Sequence, residues 1–87
     1  MEKIRSTIVG NWKMYGHRQI AEGLLASVAS VSNKEGVEVV ICPPAVFIPT
    51  VIAALKGTPV KTGGQDCHTA QEGAFTGNIS AAMLREV

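Results

Sequence analysis

The sequence predicts an α/β fold with parallel strands, on three observations. Short β-branched runs end in proline or glycine, apolar residues recur at helical spacing between those runs, and the two kinds of segment alternate along the chain. Parallel neighbours need crossover connections, and crossovers are almost always right-handed, so the helices should lie against a sheet.

The charged residues 1–5 lead directly into the first run, residues 7–10, which reads as a strand buried on both faces. Ile20, Leu24, Val28 and Val31 then recur at steps of four and three, one apolar stripe of an amphipathic helix that Asn33 and Gly36 should end. Residues 37–42 form a second buried strand closed by Pro43 and Pro44. Ile48, Val51, Ile52 and Leu55 repeat the helical spacing, with Pro49 suited to a first turn and Gly57 to a C-terminal stop, so this second helix should be short. Residues 60–62, before a double glycine, are a weaker third strand. The chain then turns polar and glycine-bearing through Asn78, and Ser80 is placed to cap a third helix over residues 81–87, within which the sequence ends.

Strand, helix, strand, helix, strand, loop, helix fits either a doubly wound sheet or a β/α barrel. No repeat, low-complexity tract or linker divides the chain, which reads as one piece of α/β structure over residues 1–87.

Composition narrows the function classes. With 87 residues, 46% hydrophobic and 17% charged, the chain is of globular type, although so short a domain hides a small share of its surface and tends to marginal stability. Its net charge of +1, with neither sign gathered into a block, leaves no footprint for nucleic acid or an anionic membrane. No apolar stretch reaches membrane-spanning length, and no export signal is present. A cytoplasmic location follows, with Cys42 and Cys67 as reduced thiols and the Asn78-Ile79-Ser80 sequon accidental.

In either architecture ligands bind at the carboxyl ends of the strands, where Asn11 and Lys13 fall after the first run. Side chains two residues apart on extended backbone point the same way, so an amide donor and an ammonium can grip an anion and a neighbouring oxygen together. The plainer alternative is a solvated lysine at a strand end. There is no Gly-x-Gly-x-x-Gly turn and no Walker lysine loop, which weighs against nucleotide binding. His17 should sit exposed near a helix start. Cys67-His68 lacks the second ligand cluster that a metal site needs, and Trp12, Phe47 and Phe75 read as packing residues.

Three ordered motifs carry a family resemblance. Gly10-Asn11-Trp12-Lys13-Met14 is similar to the signature that follows the first strand of triosephosphate isomerases. Gly63-Gly64-Gln65-Asp66 with Gly73-Ala74-Phe75-Thr76-Gly77 resembles their third loop, and Ser80-Ala81-Ala82-Met83-Leu84 resembles the helix after it. Cys42-Pro43-Pro44 also stands in place, so the resemblance runs from residue 7 to residue 87.

What the resemblance implies is the N-terminal strand–helix units of a (β/α)8 TIM barrel, a fold of about 250 residues of which three strands are present. It implies an isomerase of glycolysis and gluconeogenesis that interconverts dihydroxyacetone phosphate and D-glyceraldehyde 3-phosphate through an enediolate, with no cofactor and no metal. By the same resemblance Lys13 is catalytic and substrate-binding, Asn11 donates a hydrogen bond to the substrate, and the glutamate base and histidine electrophile lie beyond the sequence. The family is homodimeric, its third loop entering a second subunit, so Phe75 and Thr76 become dimer-interface residues, with Thr76 buttressing the partner's asparagine and lysine. An acidic residue is usual where Asn78 stands, and Tyr15 and His17 also depart from the family's commoner residues. A non-catalytic assembly module of the same fold is the competing reading.

Overall fold

The computed structural model describes residues 5–31 and 36–87, apart from the side chains of residues 20, 21, 24, 25 and 29–31. The elements follow the expected order: β1 (Ser6–Asn11), α1 (Arg18–Val31), β2 (Val37–Cys42), α2 (Ile48–Ala54), β3 (Lys61–Thr62) and α3 (Ala81–Glu86). A 3-10 turn, Ala45–Phe47, leads into α2, whose first turn holds Pro49 where a missing N–H costs nothing. Gly57, at φ +84°, follows the end of α2 as a left-handed stop that a Cβ would disfavour. Of the residues expected to end α1, Asn33 lies outside the described residues and Gly36 turns into β2 at φ +77°. Of the predicted α1 stripe, Val28 packs against the core, and the side chains of Ile20, Leu24 and Val31 lie outside the described residues.

The sheet has the order β1-β2-β3 and both pairings are parallel. Sequence neighbours are thus spatial neighbours, and the order advances in one direction. Three strands in this order fit the start of a β/α barrel and equally the first half of a doubly wound sheet, whose order reverses only at its fourth strand. Register fixes the faces: Asn11 pairs with Cys42 and Gly10 with Ile41, so Asn11 and Cys42 project from one side and Ile41 from the other.

The side carrying Ile41 holds the core. Ile41, Val51, Leu55 and Val60 form a buried cluster, with Trp12, Val28 and Val39 packed against it. Val51 is fully buried, which its place in the middle of the predicted α2 stripe explains. Ser80 caps α3 as expected, its Oγ accepting the Met83 N–H at 3.1 Å. Glu38 links the strands on the other face, accepting from Lys61 Nζ at 3.1 Å with Arg5 Nη1 at 4.0 Å, an exposed arrangement worth about 0–1 kcal/mol.

One expectation fails. The strands are not buried on both faces: Ile8 and Val9, adjacent and so on opposite sides of β1, are each 56% exposed. β1 is an edge strand, α1 packs chiefly on α2, and among the described residues no layer covers the face that carries Val9. A cleft of about 600 Å³ lined by Ile48, Ile52, Leu55, Val60 and Leu84 also opens between α2 and α3.

Candidate active site

The carboxyl ends of the three strands converge through hydrogen bonds rather than apolar packing. The Trp12 N–H donates to the Cys42 carbonyl at 3.1 Å, and the Gly63 N–H to the Ile41 carbonyl at 2.9 Å, continuing the ladders one step past each strand. Gly63 carries no side chain where a Cβ would stand 3.1 Å from Cys42 Sγ, so the third strand end can close on the second.

Asn11 ends β1 and Lys13 follows in a turn. The Lys13 N–H donates to Asn11 Oδ1 at 2.8 Å. This bond fixes the amide's orientation, since a backbone N–H needs an acceptor opposite it, and among the described residues nothing takes the donors of Asn11 Nδ2. Lys13 is the non-glycine residue with a left-handed backbone among the described residues, at φ 55°. For a residue with a Cβ that conformation costs roughly 1–2 kcal/mol, so it persists only where neighbours enforce it. Its carbonyl accepts from Gln65 Nε2 at 2.8 Å, and the same Nε2 donates to the Cys42 carbonyl at 3.0 Å.

The Lys13 side chain is exposed, and among the described residues no carboxylate pairs with it. The backbone that carries the ammonium and the amide is held at the end of the sheet, and the two groups supply positive potential there. Such a pair can hold an anion or stabilise an oxygen that gains charge. Neither group can accept a proton from carbon.

The structure joins Asn11 and Lys13 through the Lys13 N–H, with Lys13 in a left-handed turn rather than on the extended backbone that the spacing argument assumed, and it places Phe75 and Thr76 elsewhere. Those two lie on the long loop between β3 and α3, both exposed, and among the described residues no hydrogen bond or ion pair links them to Asn11 or Lys13. The loop is internally built. His68 hydrogen-bonds the Ile79 carbonyl through its own N–H at 2.7 Å and accepts the Ala70 N–H on Nδ1 at 2.9 Å. Its ring stacks on Phe75 with centroids 4.0 Å apart, and a Cβ on Gly73 would stand 2.6 Å from the Phe75 ring. His68 therefore shapes the loop, while Phe75 remains 46% exposed. His17 is exposed ahead of α1. Gln65 is the site residue that sequence reasoning passed over; its signal was an amide after a double glycine at the end of the third strand.

Parallel strand–helix units with polar residues at the strands' carboxyl ends define an α/β protein of the class to which doubly wound sheets and β/α barrels both belong. The comparisons narrow this to the barrel. A family model for triosephosphate isomerase matches residues 6–87. The triosephosphate isomerase of Xanthobacter flavus is 48% identical over 82 residues, 94% of this chain and 32% of that protein. That of Rhodopirellula baltica is 42% identical over 84 residues, 95% of this chain and 33% of that protein. A crystal structure of triosephosphate isomerase from Bartonella henselae is similar with a TM-score of 0.85 at 40% identity, covering 95% of this chain and 34% of that one. The chain belongs to the triosephosphate isomerase family, has the strand–helix units of its TIM barrel, and spans about a third of the length of these relatives.

Proposed function

We propose that a protein carrying this chain interconverts dihydroxyacetone phosphate and D-glyceraldehyde 3-phosphate, and that Asn11 and Lys13 bind the substrate while Lys13 also takes part in catalysis. The observation that supports this most is the held pair itself: Asn11 gives its acceptor to Lys13 and keeps its donors, and the Lys13 ammonium has no carboxylate partner among the described residues. Moving a proton between adjacent carbons passes through an enediolate, whose negative oxygen and neighbouring phosphate both call for fixed positive charge. Lys13 supplies that charge and Asn11 a hydrogen bond to the same substrate. The base that takes the carbon-bound proton comes from another part of the barrel, since an ammonium and an amide cannot act as one. The reaction uses no cofactor or metal.

On this reading residues 1–87 are the N-terminal part of one barrel domain, and the protein works in the cytoplasm as a homodimer. Phe75 and Thr76 meet a second copy, and Thr76 supports that copy's Asn11 and Lys13. The organised, half-exposed Phe75 among polar and glycine neighbours favours an interface over a solvated loop.

The test is a pair of substitutions in a full-length protein carrying this sequence. Lys13→Ala should cut turnover by two orders of magnitude or more, whereas Lys56→Ala, an exposed lysine just after α2, should leave it within about twofold. Equal turnover by the two variants would remove Lys13 from the mechanism.

A further inference from the structure

Lys13 acts through a side chain whose direction its backbone sets, and that backbone sits in a conformation it would not choose alone. Two peptide planes meet at its Cα. The plane on the N-terminal side carries the Lys13 N–H, held by Asn11 Oδ1 at 2.8 Å. The plane on the C-terminal side carries the Lys13 carbonyl, held by Gln65 Nε2 at 2.8 Å. Each plane is thus pinned by one side-chain amide, the first from β1 and the second from the loop after β3, 52 residues beyond Lys13.

We propose that Gln65 is a positioning residue for Lys13: its amide nitrogen spends one donor on the Lys13 carbonyl and the other on the Cys42 carbonyl, locking the left-handed lysine to the end of the second strand. The proposal rests on the reading of Lys13 as a substrate-binding group.

The side-chain type fits the task. Bridging two carbonyls from two strand ends requires two hydrogens on one polar group. Lysine and arginine offer these only with a second positive charge beside Lys13, and a carboxylate would face both carbonyls with acceptors. A neutral amide fastens the backbone and leaves Lys13 as the local charge. The anchor is itself well held, because the Cys42 carbonyl also accepts the Trp12 N–H at 3.1 Å and the Gly63 N–H extends the third strand onto the second. Gln65 therefore ties the first loop to the end of the second strand. Without it the second plane can rotate, and the ammonium moves away from a substrate whose place the rest of the barrel fixes. A displacement of about 1 Å at a reacting group can lower a rate roughly a hundredfold.

The experiment is a double-mutant cycle in a full-length protein carrying this sequence, with Gln65→Met, Lys13→Ala and the double variant. Methionine keeps the length and removes both donors. Turnover, thermal melting and the calorimetric affinity for glycerol 3-phosphate, an unreactive phosphate monoester, are read for each. Gln65→Met should lower kcat/KM about tenfold to a hundredfold with melting within a few degrees of the parent. It should weaken glycerol 3-phosphate binding when Lys13 is present and change it by less than about twofold when Lys13 is alanine, because the two act as one unit. A merely structural Gln65 would give the same loss in both backgrounds, and that result overturns the proposal. So does parental turnover by Gln65→Met while Lys13→Ala is crippled. Should Lys13→Ala itself keep parental turnover, the reading of Lys13 fails first and the proposal goes with it. Gln65→Glu, of nearly the same shape but with acceptors toward both carbonyls, provides a second variant if methionine unfolds the site. A loss at least as large is expected from it, and parental turnover would overturn the proposal equally.

Discussion

Replacing Asn11 separates its two jobs. Its Oδ1 accepts the Lys13 N–H at 2.8 Å and so supports a backbone at φ 55°, while among the described residues its Nδ2 meets no acceptor. The left-handed conformation costs roughly 1–2 kcal/mol. Each hydrogen bond that supports it returns about 0.5–1.5 kcal/mol net, so the bonds from Asn11 and Gln65 together roughly balance the strain. Asn11→Ala removes one of the two and shifts the balance by about 1 kcal/mol, roughly fivefold in the population of the working turn. It also removes a donor to the substrate, a loss of about a hundredfold to a thousandfold where the accepting oxygen becomes charged.

Asn11→Asp has the opposite profile. The carboxylate accepts the Lys13 N–H at least as well as the amide, so the turn and the melting temperature should be kept or improved. The donors are gone, however, and a negative charge about 5 Å from a phosphate or enediolate oxygen opposes it by roughly 3 kcal/mol at an effective dielectric near 20. The two orders should therefore invert. Stability should rank aspartate and asparagine above alanine, and kcat/KM should rank asparagine far above alanine, with aspartate last. Melting curves, steady-state turnover and inhibition by glycerol 3-phosphate in a full-length protein carrying these residues would read both orders. If aspartate turned over faster than alanine, Asn11 would be acting only by holding the turn.

Two predictions concern the 87-residue chain by itself. It should show no isomerase turnover above the uncatalysed rate, because the donors of Asn11 and Lys13 stabilise charge but remove no proton, and activity in the purified chain would contradict this assignment of roles. It should also not be a compact monomer. β1 leaves a row of backbone groups unpaired, Ile8 and Val9 stand 56% exposed, and the cleft of about 600 Å³ beside α2 is partly apolar, so self-association or broad melting is expected. A monomeric sedimentation profile with one sharp transition would show that the small core suffices.

Where a residue's role is set by its near neighbours, the sequence was legible. β2 occupies the predicted residues, Ser80 caps α3, and Pro49 and Gly57 bracket α2, because strand runs, caps and stops depend on a few adjacent residues. The place of Asn11 and Lys13 at the end of the first strand was legible for the same reason, whereas the left-handed turn at Lys13 was not. Burial was not. Ile8 and Val9 have the composition of a doubly covered strand, but coverage is decided by what lies on each face, and a β-branched run carries no information about that.

The left-handed Lys13 lies between these cases. Its side chain argues against φ 55°, and only the donors and acceptors around it explain the conformation. One of those, Asn11, is two residues away and belongs to a recognisable turn. The other, Gln65, reaches it across 52 residues, and no local pattern announces that contact. Lys13 departs from the local rule at the point where the proposed chemistry needs a fixed charge. A lysine in an ordinary extended conformation would need neither amide, and its Cα–Cβ bond would leave the backbone in a different direction. The strain, the two amides that hold it and the unpaired charge are thus one arrangement, whose parts become readable together only when the first and third strand ends are brought side by side.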